Sequence, residues 1–540
     1  MLRPKGFTKT LLLAVIAVGL GSSFLYGFNI GSVNAPRNVM GQWIRGIQCQ
    51  RLNASSGYSL IGDDSFNSSR ESYAWCRELT KKERRKIFKS CPELTAIWTA
   101  VATIFCVGGF IGSLCSRAMV AKFGRKGTLL INAVPGLIGA LLLAFARMAN
   151  SWEMVIVGRF FAGLNGGVTS AVAPLYITEI PPLRLRGILG GIHQFFIVFA
   201  ILIAQILGLP QVFGNATGWS YLFGLGAASA AFSLITLPFC PESPKYLCLD
   251  KDHNQKAEHA LKRLRGSTKY EEEMKEMLEE NERIREHPPV DILGIFRDPL
   301  LRSIMIVGII VTSSGQLSGH GTVIYYSTAV FESVGLSGLN AIYATIGMGI
   351  LYAISTFATA SVVERYGRRP LMLLGLGGMC VLTVALTVFT VMFDNQIETV
   401  PETKTTVIGD DSIWISYVII VCIFLHTIIY AVGPGTIPAF LVSEMFTQRP
   451  RAAASSIALA TNWLSALITV LTFPLLQAAI QGYTFIFYAV LLVLYFVYTY
   501  FKLPETKGKT TQQILEELSG RKVEIDPDEE APSKSTRIEA

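Results

Sequence analysis

The sequence predicts an all-α integral membrane protein of twelve transmembrane helices in two six-helix halves, and three observations carry that expectation. Of 540 residues, 51% are hydrophobic and only 16% charged, against roughly 25% charged in soluble domains. Apolar runs long enough to cross a bilayer, about 20 residues for a hydrocarbon core of roughly 30 Å, recur along the whole chain. Landmarks among the first six runs reappear among the last six.

The runs fall near 10–32, 94–116, 128–148, 152–175, 188–209 and 219–239, then near 301–330, 340–362, 371–393, 413–440, 452–476 and 483–501. They divide the chain into a cytoplasmic N-terminus (1–9), a first bundle (10–239) with an outer loop at 36–92, a cytoplasmic linker (240–300), a second bundle (301–501) and a cytoplasmic tail (502–540) expected to be largely disordered. Arg3, Lys5 and Lys9 precede the first run, as in a signal peptide, but no small-residue cleavage signature follows it, so it is read as a retained first helix.

Basic clusters set the orientation. KFGRK (122–126), RLRG (184–187), the linker, RYGRR (365–369) and RPR (449–451) all fall on one side if the spans alternate, and the positive-inside rule makes that side cytoplasmic, together with both termini. The loop at 36–92 holds KKERRK yet must lie outside; the rule weakens for loops of that length. Sequons at Asn53, Asn67 and Asn215 place glycosylation on that same outer face. The net charge of +8 is therefore topological, with none of the basic and aromatic interleaving of a nucleic-acid surface. Among nine cysteines, Cys49, Cys76 and Cys91 share the outer loop, where one disulfide and one leftover thiol fit and the pairing stays open. Cys106, Cys115, Cys380 and Cys422 lie in or beside spans and read as packing residues.

The repeat is specific. FGRK (123–126) returns as YGRR (366–369), each between the second and third span of its half, and PESPK (241–245) returns as PETKG (504–508), each just after the sixth. Glu179 and Arg186 stand at the same spacing as Glu444 and Arg451, each pair between spans four and five. Two parallel six-span repeats with a site at their interface near the midplane are the plan of an alternating-access carrier. Arg125, Glu179, Arg186 and Glu242 in one half, and Glu364, Arg368, Glu444 and Arg451 in the other, are then expected to pair across the two bundles and hold them closed on the cytoplasmic side.

GRFFAGLNGGVTSAVAPLYITEIPPLRLRG (158–187), PESPKYL (241–247), QLSG with YYST (316–328), VVERYGRRPL (362–371), VGPGTIPAFLVSEMF (432–446) and PETKG, taken in order, resemble the sugar-porter family of the major facilitator superfamily, in its animal facilitative hexose transporter branch. The resemblance spans about residues 10–510. It implies the major facilitator fold, broken seventh and tenth helices, and a cytoplasmic helical bundle in the linker. The segment 250–287 suits such a bundle, with apolar residues at 274, 277, 278 and 284 and a stop at Pro288-Pro289.

Sugars are held by amides, hydroxyls and flat aromatic faces. Intramembrane candidates of that kind are Gln194 and Gln205 in span five, Gln316 and His320 in span seven, Tyr352 in span eight, and Asn462 with Trp463 in span eleven. By resemblance, Gln194, Gln316 and Asn462 match the family's sugar-contacting amides, Tyr325 and Tyr326 its outer-gate tyrosines, and Pro434 and Pro438 belong to the gate in the broken tenth span. The chain also departs from the glucose carriers: Gly315, His320 and Gly321 stand where those read Gln, Ile and Asn, Tyr352 where they have Asn, Ala431 where they have Glu, and Ala439 where they have Trp. The lost tryptophan widens the cavity unless Tyr352 and Tyr430 fill it, and the substrate is expected to be a hexose or related small polyol, with glucose and fructose both open.

Proton-coupled relatives carry an Asp in the first helix, where this chain has Asn29 within YGFNIG. An intramembrane carboxylate is the usual proton relay, so facilitative uniport is expected. The competing readings are a proton-coupled sugar or polyol symporter, with His320 titrating, and a non-transporting sugar sensor that keeps the fold. No nucleophile triad, phosphate loop or metal cluster points to an enzyme, and no cofactor or metal is expected. The expected partners are a sugar or polyol and the lipid bilayer, with no nucleic acid, and the expected location is the plasma membrane.

Overall fold

The computed structural model describes residues 8–56, 92–396 and 413–519, apart from 35, 183–184, 186–188, 267–269, 287, 334 and 337. No strand occurs among the described residues. The first span is α1 (Lys9–Gly31), whose turn widens over Gly19–Ser23. Thr8 caps it: its hydroxyl accepts from Leu11 N at 3.2 Å and donates to Leu264 O at 2.7 Å, which ties the start of the chain to the linker. Then come α2 (Arg37–Ser56), α3 (Pro92–Phe145), α4 (Trp152–Glu179), α5 (Ile192–Leu207) and α6 (Trp219–Thr236).

The second and third spans, expected as separate runs, form the one element α3, which turns sharply at Gly124 (φ 80°). A Cβ there would lie 2.5 Å from the Glu242 carboxylate, so glycine is required both for the left-handed backbone and for the close approach.

The linker folds into α7 (Asn254–Arg265), α8 (Glu271–Glu286) and α9 (Ile292–Arg297). Cys248, Ala257, Leu261 and Met277 form its small core, with Met274 and Leu278 packed alongside, as the apolar spacing predicts. Arg265 joins it to the first half by donating to Ile180 O at 2.9 Å, and Val290 N donates to Arg449 O of the second half at 3.2 Å.

The second half runs α10 (Pro299–Leu317), α11 (His320–Ser333), α12 (Gly338–Tyr366), α13 (Arg368–Gln396), α14 (Ile413–Val432), α15 (Ile437–Met445), α16 (Gln448–Ile480) and α17 (Thr484–Lys502). The seventh span breaks between α10 and α11 at Gly319 (φ 85°) and the tenth between α14 and α15 around Gly433–Thr436, as the resemblance implies. Ten described helices are long and apolar enough to span a membrane; α3 supplies two spans, and the shorter apolar α5 completes twelve.

The tail is not devoid of structure throughout. Thr511–Ser519 forms α18, and Ile514 and Leu515 bury against the core of the second half beside Met445. Residues 520–540 lie outside the described residues.

The halves meet along two seams. In one, α3 packs on α16, where Gly109 lies so close to Trp463 that a Cβ would come within 2.2 Å of the indole. In the other, α5 packs on α12, where Gly349 faces the Gln205 amide in the same manner. Small residues allow such approach where lipid offers no hydrophobic drive for helix association.

Candidate functional site between the two halves

The break in the seventh span exposes polar groups midway along the seams. Gln316, in the last turn of α10, donates through Nε2 to Asn462 Oδ1 of α16 at 3.2 Å, and Thr469 of the same helix donates to Gln316 O at 3.0 Å. Three sequence features build this pair: the helix stops at Gly319, Thr469 anchors the freed carbonyl, and Gly321 leaves space beside the carboxamide. A Cβ at Gly321 would stand 3.3 Å from Gln316 Oε1, so the larger side chain expected in glucose carriers would push against that amide.

From the first half, the Gln194 carboxamide lies within reach of the Tyr352 hydroxyl of α12. Gln205 is buried, and its Oε1 has no partner among the described residues. Trp463, a candidate sugar contact in the sequence, is fully engaged with the other half: its Nε1 donates to Ser170 Oγ of α4 at 3.1 Å, and its ring packs against Tyr26 and Phe105 at 5.7 and 5.8 Å. The indole therefore braces the seam.

His320 opens α11 with none of its surface exposed. It stacks on Tyr430 of α14 at 3.6 Å between ring centroids, with His426 at 5.7 Å and Tyr352 at 5.8 Å. Neither of its ring nitrogens has a hydrogen-bond partner among the described residues. These rings occupy one side of the site, so part of the volume expected to open up is taken by Tyr352 and Tyr430. His426 and Tyr26 were not picked out in the sequence. The available signal for His426 was its place one turn before Tyr430, which puts both on one face of α14.

At the linker end the repeat becomes atomic. In the first half Glu242 accepts from the backbone N–H groups of Arg125 and Lys126, both at 3.0 Å, and Gly127 at 3.3 Å. Arg125 pairs with Glu179 at 2.9 Å, and the Ser243 hydroxyl donates to that same carboxylate. In the second half Glu505 accepts from the N–H groups of Arg368 and Arg369 at 3.0 and 3.1 Å, Arg368 pairs with Glu444 at 3.0 Å, and Thr506 donates to Glu444. Gly367 (φ 92°) repeats the role of Gly124.

These charges were expected to pair across the bundles; none of the described pairs joins one bundle to the other, and Arg125 reaches beyond its own bundle only to Asp250 of the linker, at 2.5 Å. The physical reason is the carboxylate after the sixth span, which reaches back to cap the helix starting at each GRK or GRR turn and brings its arginine beside the acid of the neighbouring helix. Arg451 instead donates to Phe446 O at 3.0 and 3.2 Å and fixes the turn into α16. Arg186 and the side chain of Glu364 lie outside the described residues.

At the opposite, linker-distal end the halves touch directly. Asn34 donates to Ile324 O, Asn38 Nδ2 donates to Glu332 Oε1 at 2.8 Å, and the Arg37 guanidinium lies over the Tyr326 ring at 5.5 Å. Tyr326 is buried and donates to Val470 O at 3.1 Å; the side chain of Tyr325 lies outside the described residues. Pro434 and Pro438 are buried, Pro434 lying against Gly375 at the break before α15 and Pro438 in its first turn.

Asn29 has no carboxylate to offer: its Nδ2 donates to Leu25 O at 3.0 Å, and its carbonyl accepts from Arg159 at 2.7 Å. Asn215 Nδ2, the atom a glycan would take, donates to Pro210 O at 3.1 Å and Val212 O at 3.3 Å, so attachment there requires the turn to open. Asn67 and the side chain of Asn53 lie outside the described residues, as do those of Cys49, Cys76 and Cys91. Of the cysteines read as packing residues, Cys106 and Cys422 are buried, Cys380 is half-buried and Cys115 is exposed.

A family profile described as "Sugar (and other) transporter" matches residues 13–518. The chain is 37% identical over 507 residues to the solute carrier family 2 facilitated glucose transporter member 1 of Gallus gallus, covering 94% of this chain and 93% of that protein. It is 35% identical to member 3 of the same family from Mus musculus over 514 residues, covering 95% and 94%. Among solved structures, the proton:xylose symporter XylE bound to 6-bromo-6-deoxy-D-glucose superposes with a TM-score of 0.67 at 22% identity, over 94% of this chain and 98% of that one. The inward open conformation of the xylose transporter XylE from E. coli gives 0.66 at 21%, over 94% and 99%. At that identity the structural likeness speaks for the fold alone.

Proposed function

The chain belongs to the sugar transporter family, and from that premise we propose that it carries a hexose or related small polyol across the membrane by facilitative alternating access, without proton coupling. The observation that carries this reading is the set of neutral polar groups that both halves bring to the break in the seventh span: Gln316 with Asn462 from one half, and Gln194 of the other beside Tyr352, which in turn lies 5.8 Å from His320. Neutral amides hydrogen-bond sugar hydroxyls while keeping binding weak enough for release on either side. In this reading Gln194, Gln316 and Asn462 bind substrate, His320 and Tyr352 shape the pocket wall, and Trp463 supports it from behind. The relatives' named substrate is glucose. His320 and Gly321 alter the wall beside Gln316, so fructose or a polyol fits the reading as well.

The linker, both termini and the basic turns are assigned to the cytoplasm of a plasma-membrane protein on the positive-inside rule. The linker-distal contacts at Asn38, Glu332 and Tyr326 then close the outer side, and separating them is the gating step. The two carboxylate-capped turns act as rigid ends on which each half rocks as a unit.

Uptake of radiolabelled hexoses and polyols into proteoliposomes tests the reading. Saturable flux of at least one sugar is expected, and Gln316→Ala should cut it about tenfold, as loss of a buried hydrogen-bonding amide predicts. Unchanged flux in that variant would remove Gln316 from the site, and no saturable flux for any sugar would favour a sensor that keeps the fold.

A further inference from the structure

One cavity lies outside the sugar site, on the seam between α3 and α16. It holds about 250 Å³ and is lined by Phe110, Ser113, Leu114 and Arg117 of α3, Ile292 of α9, and Ser456 to Leu464 along α16. Ile292 places it at the linker end, and Arg117 sits two turns of helix before the Gly124 corner. Leu114 and Leu464 are exposed on its rim.

The polar chemistry of the walls is already spent with one exception. Ser113 donates to Phe110 O, Ser456 to Ala452 O and Thr461 to Ile457 O, each within its own helix. Arg117 is exposed and makes no ion pair or hydrogen bond with any described residue. Arg117 directly follows the apolar run 94–116, so its guanidinium stands at the interface, where a basic side chain favours an anionic headgroup. The rest of the wall is chiefly hydrocarbon, with Leu114 and Leu464 exposed at the rim. An occupant must therefore pair an anionic head with an apolar chain.

We propose that this seam binds one anionic phospholipid of the linker-side leaflet, its phosphate on Arg117 and an acyl chain along Leu114, Phe110 and Leu464. The two walls come from opposite halves, so the bound lipid acts as a wedge whose fit changes as the halves rock. This goes beyond the sugar site and does not depend on which substrate is carried.

The test uses the full-length purified protein and needs no sugar. Phosphatidylglycerol or phosphatidylcholine is supplied in detergent, and lipid retained on the protein is read by native mass spectrometry, with unfolding temperature measured in parallel. Phosphatidylglycerol should be retained about fivefold better, the preference that one basic residue near an anionic headgroup provides. Arg117→Gln should abolish the preference and Arg117→Lys should keep it. Ala460→Leu, which fills the cavity and leaves the cation in place, should reduce retention of phosphatidylglycerol. Equal retention of the two lipids by the parent protein, or an unchanged preference in Arg117→Gln, overturns the proposal. Inorganic phosphate raising the unfolding temperature as much as phosphatidylglycerol overturns it too, since the site would then take the headgroup alone.

Discussion

At their linker-facing ends the two halves of this molecule are nearly interchangeable; at their centres they are not. Glu242 and Glu505 cap matching turns, Arg125 and Arg368 meet matching acids, and Ser243 and Thr506 donate to the same two carboxylates. Midway along the seams, the second half supplies Gln316, Asn462 and the stacked rings of His320, Tyr430 and His426, while the first supplies Gln194, Gln205 and Ser170. A duplicated chain has kept its ends alike and let its middle diverge. On the proposed function, the difference separates the parts that move the halves as rigid bodies from the parts that meet the substrate.

The largest effects should come from breaking the likeness at the ends. Glu242→Ala and Glu505→Ala each remove a carboxylate that accepts from several part-buried backbone N–H groups, and each should cost about 2–3 kcal/mol of stability, the scale of charge-assisted hydrogen bonds. Unfolding of the detergent-solubilised protein measures this. Losses of similar size in the two variants support equivalence of the ends, and a loss confined to one refutes it.

Next in size is the approach of Gln194 to Tyr352 across the seam at the centre. Gln194→Ala, Tyr352→Phe and the double variant form a cycle in which flux should fall severalfold in each single variant, with the double little worse than either. The coupling should be about 0.5–1.5 kcal/mol, as for a neutral hydrogen bond. Strict additivity would mean the two groups act apart.

A smaller effect is expected from the wall beside Gln316. His320→Ile combined with Gly321→Asn restores the side chains expected in glucose carriers and should shift the ratio of glucose to fructose flux by less than about tenfold, as one or two altered pocket contacts do. No change in the ratio would place selectivity elsewhere.

The smallest effect concerns the linker-distal closure. Burial pushes the Glu332 carboxyl up from the ordinary range, with Asn38 and Arg37 pulling it partly back. When the ends part and water reaches Glu332, its affinity for a proton drops to the ordinary value, so the closed form binds the proton more readily. Acidification from neutral pH toward the ordinary glutamate range should therefore favour closure. Energy transfer between labels on the distal ends of α2 and α12 should increase slightly, and Glu332→Gln should remove that response.

Much of the architecture was legible because a bilayer demands long apolar runs and permits little else. The break at Gly319 was legible as well, from glycines and polar groups crowded into one run. Gly124 was harder: KFGRK reads as a loop between spans, yet a single left-handed residue turns the chain while the helix continues on both sides. The arginine partners were misjudged because spacing along the chain tells which charges share an end but not which carboxylate a guanidinium faces. That depended on Glu242 and Glu505 folding back from beyond the sixth spans. His426 stayed hidden as one polar residue in an apolar run, and α18 was missed because a nine-residue segment buries only Ile514 and Leu515.

The central claim is passive transport through a site of neutral amides, with Asn29 where a proton relay would stand. Sugar uptake into proteoliposomes, followed with and without an imposed pH gradient while the membrane voltage is clamped, tests it most directly. The account predicts saturable uptake at the same rate in both conditions, ending when inside and outside concentrations are equal. Accumulation of sugar above the outside concentration when protons flow inward, abolished by a protonophore, would contradict it.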